Sequence, residues 1–502
     1  MTQRSWSLAD ELLQTSGSDA VAAAPASTDA SARTAQVHDL YSDLVQRSKT
    51  AAGPSGSSPT AAAAPAIPPR MPATLADTGL TLGQLAEMVL KLLYMHGSLV
   101  GQDIAHQVRL VFPIVDEALR FLKDQRCIEV SGADLVGRVS FRFALTELGR
   151  VRAREVFEQC RYVGPVPVPL EQYITQCRRQ TVTGVPCTPA TLTAAFSESV
   201  IRPGLLDEIG PAVCTGRSLF VYGPPGNGKT VLAKGLGRFL NIFGGEIYIP
   251  YAIQAENTII TMFDPVVHQT TDEGDLARKG ILPRQSLSDS STLLVADTPC
   301  DLRWRRIRRP VIITGGELTL EMLELQKSST SNFYNAPLHL KSNGGVFLID
   351  DFGRQLVSPR DLLNRWIVPL EDRIDYLTLS SGRKLAVPFE QFIIFSTNLE
   401  PKDLVDDAFL RRIRHKVRLD PPNREVYRKI FELLCQQRRV PFSDTVIEYV
   451  FTHYYDLGRA PKSSDPRDLI DLADAICRYQ EHPFEWTEPL IATAAARLFH
   501  QV

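Results

Sequence analysis

The sequence has no run of about 18 apolar residues, so nothing in it reads as a membrane-spanning helix. Its first residues, MTQRSWSLADELLQ, lack the continuous apolar stretch of a signal peptide, and a cytoplasmic protein with no membrane partner is expected. Cysteine is scarce: eight residues in 502, none in a CxxC pair or beside a histidine at zinc-ligand spacing. That excludes a disulfide framework and a thiolate zinc site, and predicts buried, reduced thiols. An excess of either charge is also missing, since 55 Lys and Arg stand against 57 Asp and Glu. A net charge of −2 supplies no global field for a phosphate backbone or an anionic membrane, so any nucleic-acid contact must be a local patch. What remains is ordinary globular material, 44% hydrophobic and 22% charged, in a chain long enough for three to four domains at about 150 residues each.

Composition divides the chain. Residues 1–78 form a tail rich in Ala, Ser, Pro and Thr, which has too little apolar surface to offset ordering entropy and is expected to be disordered. Within it Val37, Leu40, Tyr41, Leu44 and Val45 recur at helical spacing, as a short amphipathic helix or a merely transient one. Residues 79–160 read as three helices, two strands at Ile128 to Val130 and Val139 to Leu145, and a closing helix with Thr146 as N-cap. This succession, with its LTELGR phrase, resembles a winged-helix domain. A stretch rich in Pro and Val, YVGPVPVPL, opens a linker over 161–194. Alternating strand and helix follow over 195–420, then helices over 421–502.

The strongest signal is SLFVYGPPGNGKTVLAKGLGRFL. A short apolar strand ends in G-x-x-x-x-G-K-[ST], and apolar residues keep helical spacing afterwards, which is the context this phosphate-binding loop requires. Glycines let backbone N–H groups close around phosphate oxygens at a helix amino terminus, where the partial charge is positive. Lys229 is placed to meet the β- and γ-phosphates and Thr230 to ligate magnesium. A second carboxylate is needed for the magnesium shell, and GGVFLIDDFGRQ supplies Asp350 at the end of a buried strand, with Asp351 next to it as a base for the attacking water. QFIIFSTNLEP ends another buried strand in Asn398, a water-orienting side chain or a plain strand-end cap. DDAFLRRIRHKVRLD carries Arg411 and Arg412, and SSDPRDLIDLADAICRY places Arg467 at the start of an amphipathic helix. Each arginine suits transferring phosphates or, equally, a solvated surface.

Taken in order, these motifs resemble those of AAA+ ATPases over residues 195–502. The resemblance implies an α/β fold, a P-loop NTPase parallel sheet with helices on both faces and a carboxyl-terminal helical lid, here preceded by an α+β winged-helix-like domain. By position, Gly223, Pro224, Pro225, Gly226, Asn227, Gly228, Lys229 and Thr230 look like Walker A. Asp350 and Asp351 look like Walker B, with Asp350 and Thr230 on the metal and Asp351 as catalytic base. Asn398 looks like sensor 1, Arg412 like the arginine finger with Arg411 second, and Arg467 like sensor 2. ATP and Mg2+ are the implied ligands, and a homo-oligomer, a hexameric ring, is the implied assembly. Asp351 departs from the usual glutamate, being one methylene shorter, so the water must sit closer or turnover is slow. RIDYLTLSSGRKLAVPFEQ reads as two short strands and resembles the presensor-1 hairpin of the branch that holds MoxR-type ATPases and magnesium chelatase.

Between EIYIP, read as the second strand of the core, and Gly345 the chain is longer than a minimal core needs, and an insertion is expected there. It includes a polar segment over 270–297 and DLRWRRIRRP, whose Arg303, Arg305, Arg306, Arg308 and Arg309 suit nucleic acid, an acidic partner or an intersubunit strand. Tyr334 reads as a packed core tyrosine ahead of a central-pore aromatic. The leading functional expectation is an oligomeric ATPase that remodels a macromolecular client, a protein one. The alternatives are a DNA-associated ATPase guided by the winged helix, disfavoured because Asp116, Glu117 and Asp124 stand on its would-be recognition helix, and a slow ATP-dependent switch or scaffold.

Overall fold

The computed structural model describes residues 66–133, 138–271, 300–327, 331–404 and 411–499. The Val37 to Val45 stripe and most of the polar 270–297 segment lie outside the described residues.

In the amino-terminal unit the helix Leu82–His96 begins with a reciprocal cap, Thr81 and Gln84 each bonding the other's backbone, and stops at Gly97. Leu85, Val89, Leu92 and Leu93 fall on its inner side and are fully buried. Helices Gly101–Val108 and Phe112–Asp124 pack against it, followed by strands Ile128–Ala133 and Phe141–Leu145 and helix Glu147–Gln159. A further strand, Ser98–Val100, was not expected; it pairs antiparallel with Phe141–Leu145 and makes the sheet three-stranded. Thr146 caps the last helix by accepting from Gly149 N–H at 3.0 Å. Gly149 is forced, because a Cβ there would stand 1.8 Å from the Cys127 carbonyl oxygen.

Two expected boundaries move. Residues 66–78, assigned to the tail, carry the capped turn Leu75–Thr78, and Asp301 N–H donates to Pro69 O at 3.0 Å. Residues 161–194, assigned to a linker, hold the strand Val168–Pro169 and the helix Leu170–Arg179, whose Tyr173 and Cys177 are buried in a second core.

The central sheet has five parallel strands in the order Val311–Thr314, Val346–Ile349, Phe392–Thr397, Leu219–Tyr222 and His415–Arg418. Its middle strands are apolar on both faces, as burial between two helical layers requires. The order corrects one expectation: Ile247–Pro250 is not a strand of this sheet. It pairs antiparallel with Trp304–Ile307, and Val311–Thr314 takes the edge position. A proline at the strand end and a buried Trp304 opposite suit a two-stranded ribbon better than a continuous parallel ladder.

The inserted segment builds another sheet, Gln326–Lys327, Tyr334–Asn335, Thr258–Thr261 and Ala252–Ala255, which Val168–Pro169 from the preceding segment extends at its edge. The hairpin Ile374–Thr378 with Lys384–Pro388 lays Leu377, Leu379, Leu385 and Val387 into the same core. Tyr334 is buried there and its hydroxyl lies 2.6 Å from Ser380 Oγ, so it is no pore residue. The arginine run is also spent within the chain. Arg303, 1% exposed, donates to the Asp301 carboxylate at 2.8 Å and to Thr78 O at 3.0 Å. Arg309 donates to four carbonyls, Gly244, Gly245, Gln180 and Gly344, and burial pushes its pKa down to about 10. Arg306 pairs with Glu246. As a nucleic-acid grip the run is overturned at its two ends.

Helices Arg424–Arg438, Asp444–Val450, Asp465–Tyr479 and Glu488–Phe499 close the chain around their own core of Tyr427, Phe431, Leu469, Ile470 and Ala494.

Candidate nucleotide site

Strand Leu219–Tyr222 delivers the glycine-rich loop at its carboxyl end, and helix Lys229–Phe243 leaves from it. Two glycines are demanded by close approach. Gly223, at φ 132°, has the Leu419 carbonyl oxygen 2.3 Å from where a Cβ would stand, and Gly226, at φ 82°, has Ser464 Oγ at 2.7 Å. The loop is bonded to the helical segment above it: Ser464 N–H donates to Gly226 O at 2.9 Å and Ser463 N–H to Asn227 Oδ1 at 3.3 Å.

Lys229 is 7% exposed, and its ammonium donates to Gly223 O at 2.9 Å, Pro224 O at 3.0 Å and Asn398 Oδ1 at 2.7 Å. Burial lowers its pKa, opposed by the charges of Asp350 and Asp351. Asp350 leaves the end of strand Val346–Ile349 and is held on every side. Its Oδ2 accepts from Thr230 Oγ1 at 2.9 Å, its Oδ1 from Ser396 Oγ at 2.7 Å, and its N–H donates to Thr314 O at 2.7 Å. Gln355 Nε2 binds its carbonyl at 2.8 Å while Gln355 Oε1 accepts from Gly353 N–H at 2.8 Å, which braces the turn behind it. In that turn Asp351 takes φ 51°, a left-handed conformation that aspartate tolerates better than most residues. Its Oδ1 accepts from Asn398 Nδ2 at 2.7 Å. Asn398 therefore links lysine and second acid through the two ends of one amide.

The structure gathers Lys229, Thr230, Asp350, Asp351, Asn398 and Arg467 around one cleft of about 800 Å³. Arg467 stands at its edge, more than half exposed, with Nε and Nη2 on Asp468 Oδ1 at 3.1 and 3.0 Å. Arg412 is not brought in. It pairs with Glu371 at 2.6 Å and, with Arg411, lines a separate pocket.

Sequence reasoning missed Ser396 and Gln355, and also the apolar end of the cleft, where Val200, Ile201, Pro421, Val426, Ile430 and Leu434 meet. A signal for the last was present. Helix Arg424–Arg438 carries two apolar stripes; Tyr427, Phe431 and Cys435 enter the core of the closing helices, with Leu434 at its border, which leaves Val426 and Ile430 for another surface.

These residues fit a nucleotide with its magnesium. The loop is a cradle that side chains would fill, the Asn227 amide nitrogen is buried there with no hydrogen-bond partner among the described residues, and an apolar end of the cleft lies beyond. Among the described residues no group of three or more His, Cys, Asp or Glu is placed to cage an ion. Thr230 and Asp350, adjacent and oxygen-bearing, are a partial shell of the sort completed by phosphates and water around magnesium. Among the described residues no helix is long and apolar enough to cross a membrane.

A family described as a domain of unknown function (DUF8689) matches residues 423–497, the four closing helices. The chain is 30% identical over 87 residues to the vesicular-fusion protein sec18 of Schizosaccharomyces pombe, covering 16% of this chain and 11% of that protein. It is 31% identical over 87 residues to the vesicle-fusing ATPase of Dictyostelium discoideum, 16% of this chain and 12% of that one. The chain thus spans about a tenth of the length of these curated relatives. Domain III of the Thermotoga maritima replication initiation protein DnaA aligns over 62% of this chain and 97% of its own, at 16% identity and a TM-score of 0.30.

Proposed function

We propose that the chain hydrolyses ATP as an AAA+ ATPase in an oligomer, with Arg412 of one copy serving the nucleotide of the next, and that turnover remodels a protein client met by the amino-terminal winged-helix-like unit. One observation carries the reading: Thr230 and Ser396 on Asp350, and Lys229 and Asp351 on Asn398, form a preassembled polar set at the mouth of a phosphate cradle. Bound magnesium would neutralise β- and γ-oxygens beside Thr230 and Asp350. Lys229 exchanges the two loop carbonyls and Asn398 Oδ1 for phosphate oxygens. Asn398 then turns its freed oxygen to water, and Asp351 accepts that water's proton. Arg467 enters from the lid after leaving Asp468.

A second reading, a slow switch, is favoured by the Asn398–Asp351 bond, which occupies one oxygen of the short acid. A DNA-guided ATPase is disfavoured on residues. Asp116 is buried and paired with Arg120 and Arg138, so the helix and the wing spend these charges on each other.

The test is steady-state ATP turnover with and without duplex DNA, with Asp350→Ala as background. Magnesium-dependent turnover that Asp350→Ala abolishes and DNA leaves unchanged supports the proposal. Turnover that survives Asp350→Ala overturns the site, and clear stimulation by DNA overturns the choice of client.

A further inference from the structure

The pocket that holds Arg412 is a second cavity, about 360 Å³, lined by Arg217, Arg411, Arg412 and Arg414 with Leu370 and Glu371. Four guanidinium groups face it, and among the described residues lining it Glu371 is the one carboxylate. Such a surplus of one sign is unfavourable unless an anion enters.

Arg217 comes from a different place in the fold than the Arg411–Arg414 run. It stands in the connection between helix Leu205–Thr215 and strand Leu219–Tyr222. That connection is built to hold it. Gly216 closes the helix in a left-handed conformation at φ 57°, and a Cβ on it would come within 2.7 Å of Thr183 Cγ2. Arg373 donates from both Nη1 and Nη2 to the Gly216 carbonyl, each at 3.0 Å, and its Nε lies 3.5 Å from Glu390. Arg373 is thus tied to carbonyl and carboxylate behind the turn, and Arg217, exposed, is presented at the pocket. Arg412 meanwhile shares its charge with Glu371. Among the described residues lining the pocket, no carboxylate pairs with its other arginines.

We infer that Arg217, set by the Arg373–Gly216 clamp, and Arg414 complete with Arg411 and Arg412 a phosphate-binding pocket whose occupant is the triphosphate of ATP held in the cleft of a second copy of this chain. The inference rests on the proposed shared site. It enlarges an Arg-Arg pair into a face with contributions from the segments that lead into two neighbouring parallel strands, Leu219–Tyr222 and His415–Arg418. The carboxylates of the opposing cleft, Asp350 and Asp351, and the phosphates give the complementary sign. Free polyphosphate has the same chemistry, so the two sources must be told apart.

The experiment uses the full chain. Arg217→Ala is expected to lower kcat about 10- to 100-fold, the loss of one charge-assisted contact, with ATP affinity and melting temperature unchanged and with partial rescue in Arg217→Lys. Arg217→Ala, with about a tenth of wild-type turnover or less, is then mixed with Lys229→Ala, nearly inactive alone. Recovery of about a quarter of wild-type turnover, the share of interfaces that random mixing pairs correctly, is the result expected of an arginine acting across the interface. No recovery, while Arg412→Ala mixed with Lys229→Ala does recover, overturns the role of Arg217 and keeps the shared site. No recovery in either mixture overturns the shared site itself. Inorganic tripolyphosphate is finally titrated onto dilute Lys229→Ala protein. Arg217-dependent binding there would assign the pocket to a free anion and overturn the inference, whereas none is expected.

Discussion

His268 should make the fold acid-sensitive. It is 2% exposed, its Nδ1 accepts from Asp264 N–H at 3.0 Å, and its Nε2 lies 2.9 Å from Lys341 O. That is the pattern of one neutral tautomer, with the proton on Nε2. A second proton on Nδ1 would point at an N–H donor, in a place where burial already disfavours the cation, and the pKa falls from 6.5 to about 4. Between those values the unfolded chain binds a proton that the folded chain refuses, so stability is full above pH 6.5 and is lost as pH falls toward 4. From pH 7 to pH 5 this histidine costs about 2 kcal/mol of stability. His268→Gln retains an amide donor for Lys341 O and cannot titrate. Thermal melts at pH 7 and pH 5, followed through tryptophan fluorescence, should show a smaller acid-induced drop in Tm for the variant, by several degrees. Identical drops in both proteins would refute the reasoning, as would protection of the native protein by acid.

Asn398→Ala should leave ATP binding within a few-fold and reduce turnover by about 100-fold or more, because it removes the link between Lys229 and Asp351 and, on the proposed mechanism, the amide that orients water; single-turnover hydrolysis beside equilibrium nucleotide binding would show the split. Gly226→Ala should weaken ATP affinity by about tenfold at least, since a Cβ displaces Ser464 and strains a left-handed residue, and calorimetric titration reads this directly. Gly149→Ala should unfold the amino-terminal unit in preference to the rest, visible as early amide exchange in helix Glu147–Gln159, because its Cβ meets a backbone oxygen at 1.8 Å. Asp375, fully buried, would be raised by burial alone, yet the His339 and Arg365 bonds hold it at about 2. Its contribution to stability is present above pH 4 and lost toward pH 2, so Asp375→Asn should flatten the acid limb of the stability curve in that window, of the order of 2 kcal/mol.

The parts of the site legible in the sequence are those where chemistry dictates residue type at short range. Lys229, Thr230 and Asp350 each follow a strand whose apolar run marks where the side chain emerges, and the cradle allows few residues besides glycine. Strand order was not legible. Ile247–Pro250 and Val311–Thr314 are both short apolar runs, and only pairing partners decide which joins the parallel sheet and which makes a ribbon with Trp304–Ile307. The arginine run misled for a related reason. Charge density in a sequence says nothing of where the guanidinium groups point, and Arg303 and Arg309 serve as buried clamps for backbone carbonyls. Ser396 was hidden because a hydroxyl in a buried strand ordinarily bonds its own backbone; its partner, Asp350, is 46 residues away.

The arrangement around Asp350 also bears on the shortened second acid. Asp351 lacks one methylene relative to glutamate, yet its left-handed backbone turns the carboxylate to Asn398, and the Gln355 brace with the Asp350 carbonyl fixes that turn. Reach is thus set partly by backbone conformation rather than by side-chain length alone. Lengthening the side chain with Asp351→Glu while the turn keeps φ 51° should push the carboxylate past Asn398, and glutamate tolerates the left-handed region less well. The substitution that restores the commoner residue is therefore expected to lower turnover, by about tenfold, and to weaken the turn. Gln355→Ala, which frees the turn, should reduce that penalty in the double variant. If Asp351→Glu instead raised turnover in the native background, the strained turn would have no part in placing the base, and the short acid would be a plain brake on hydrolysis.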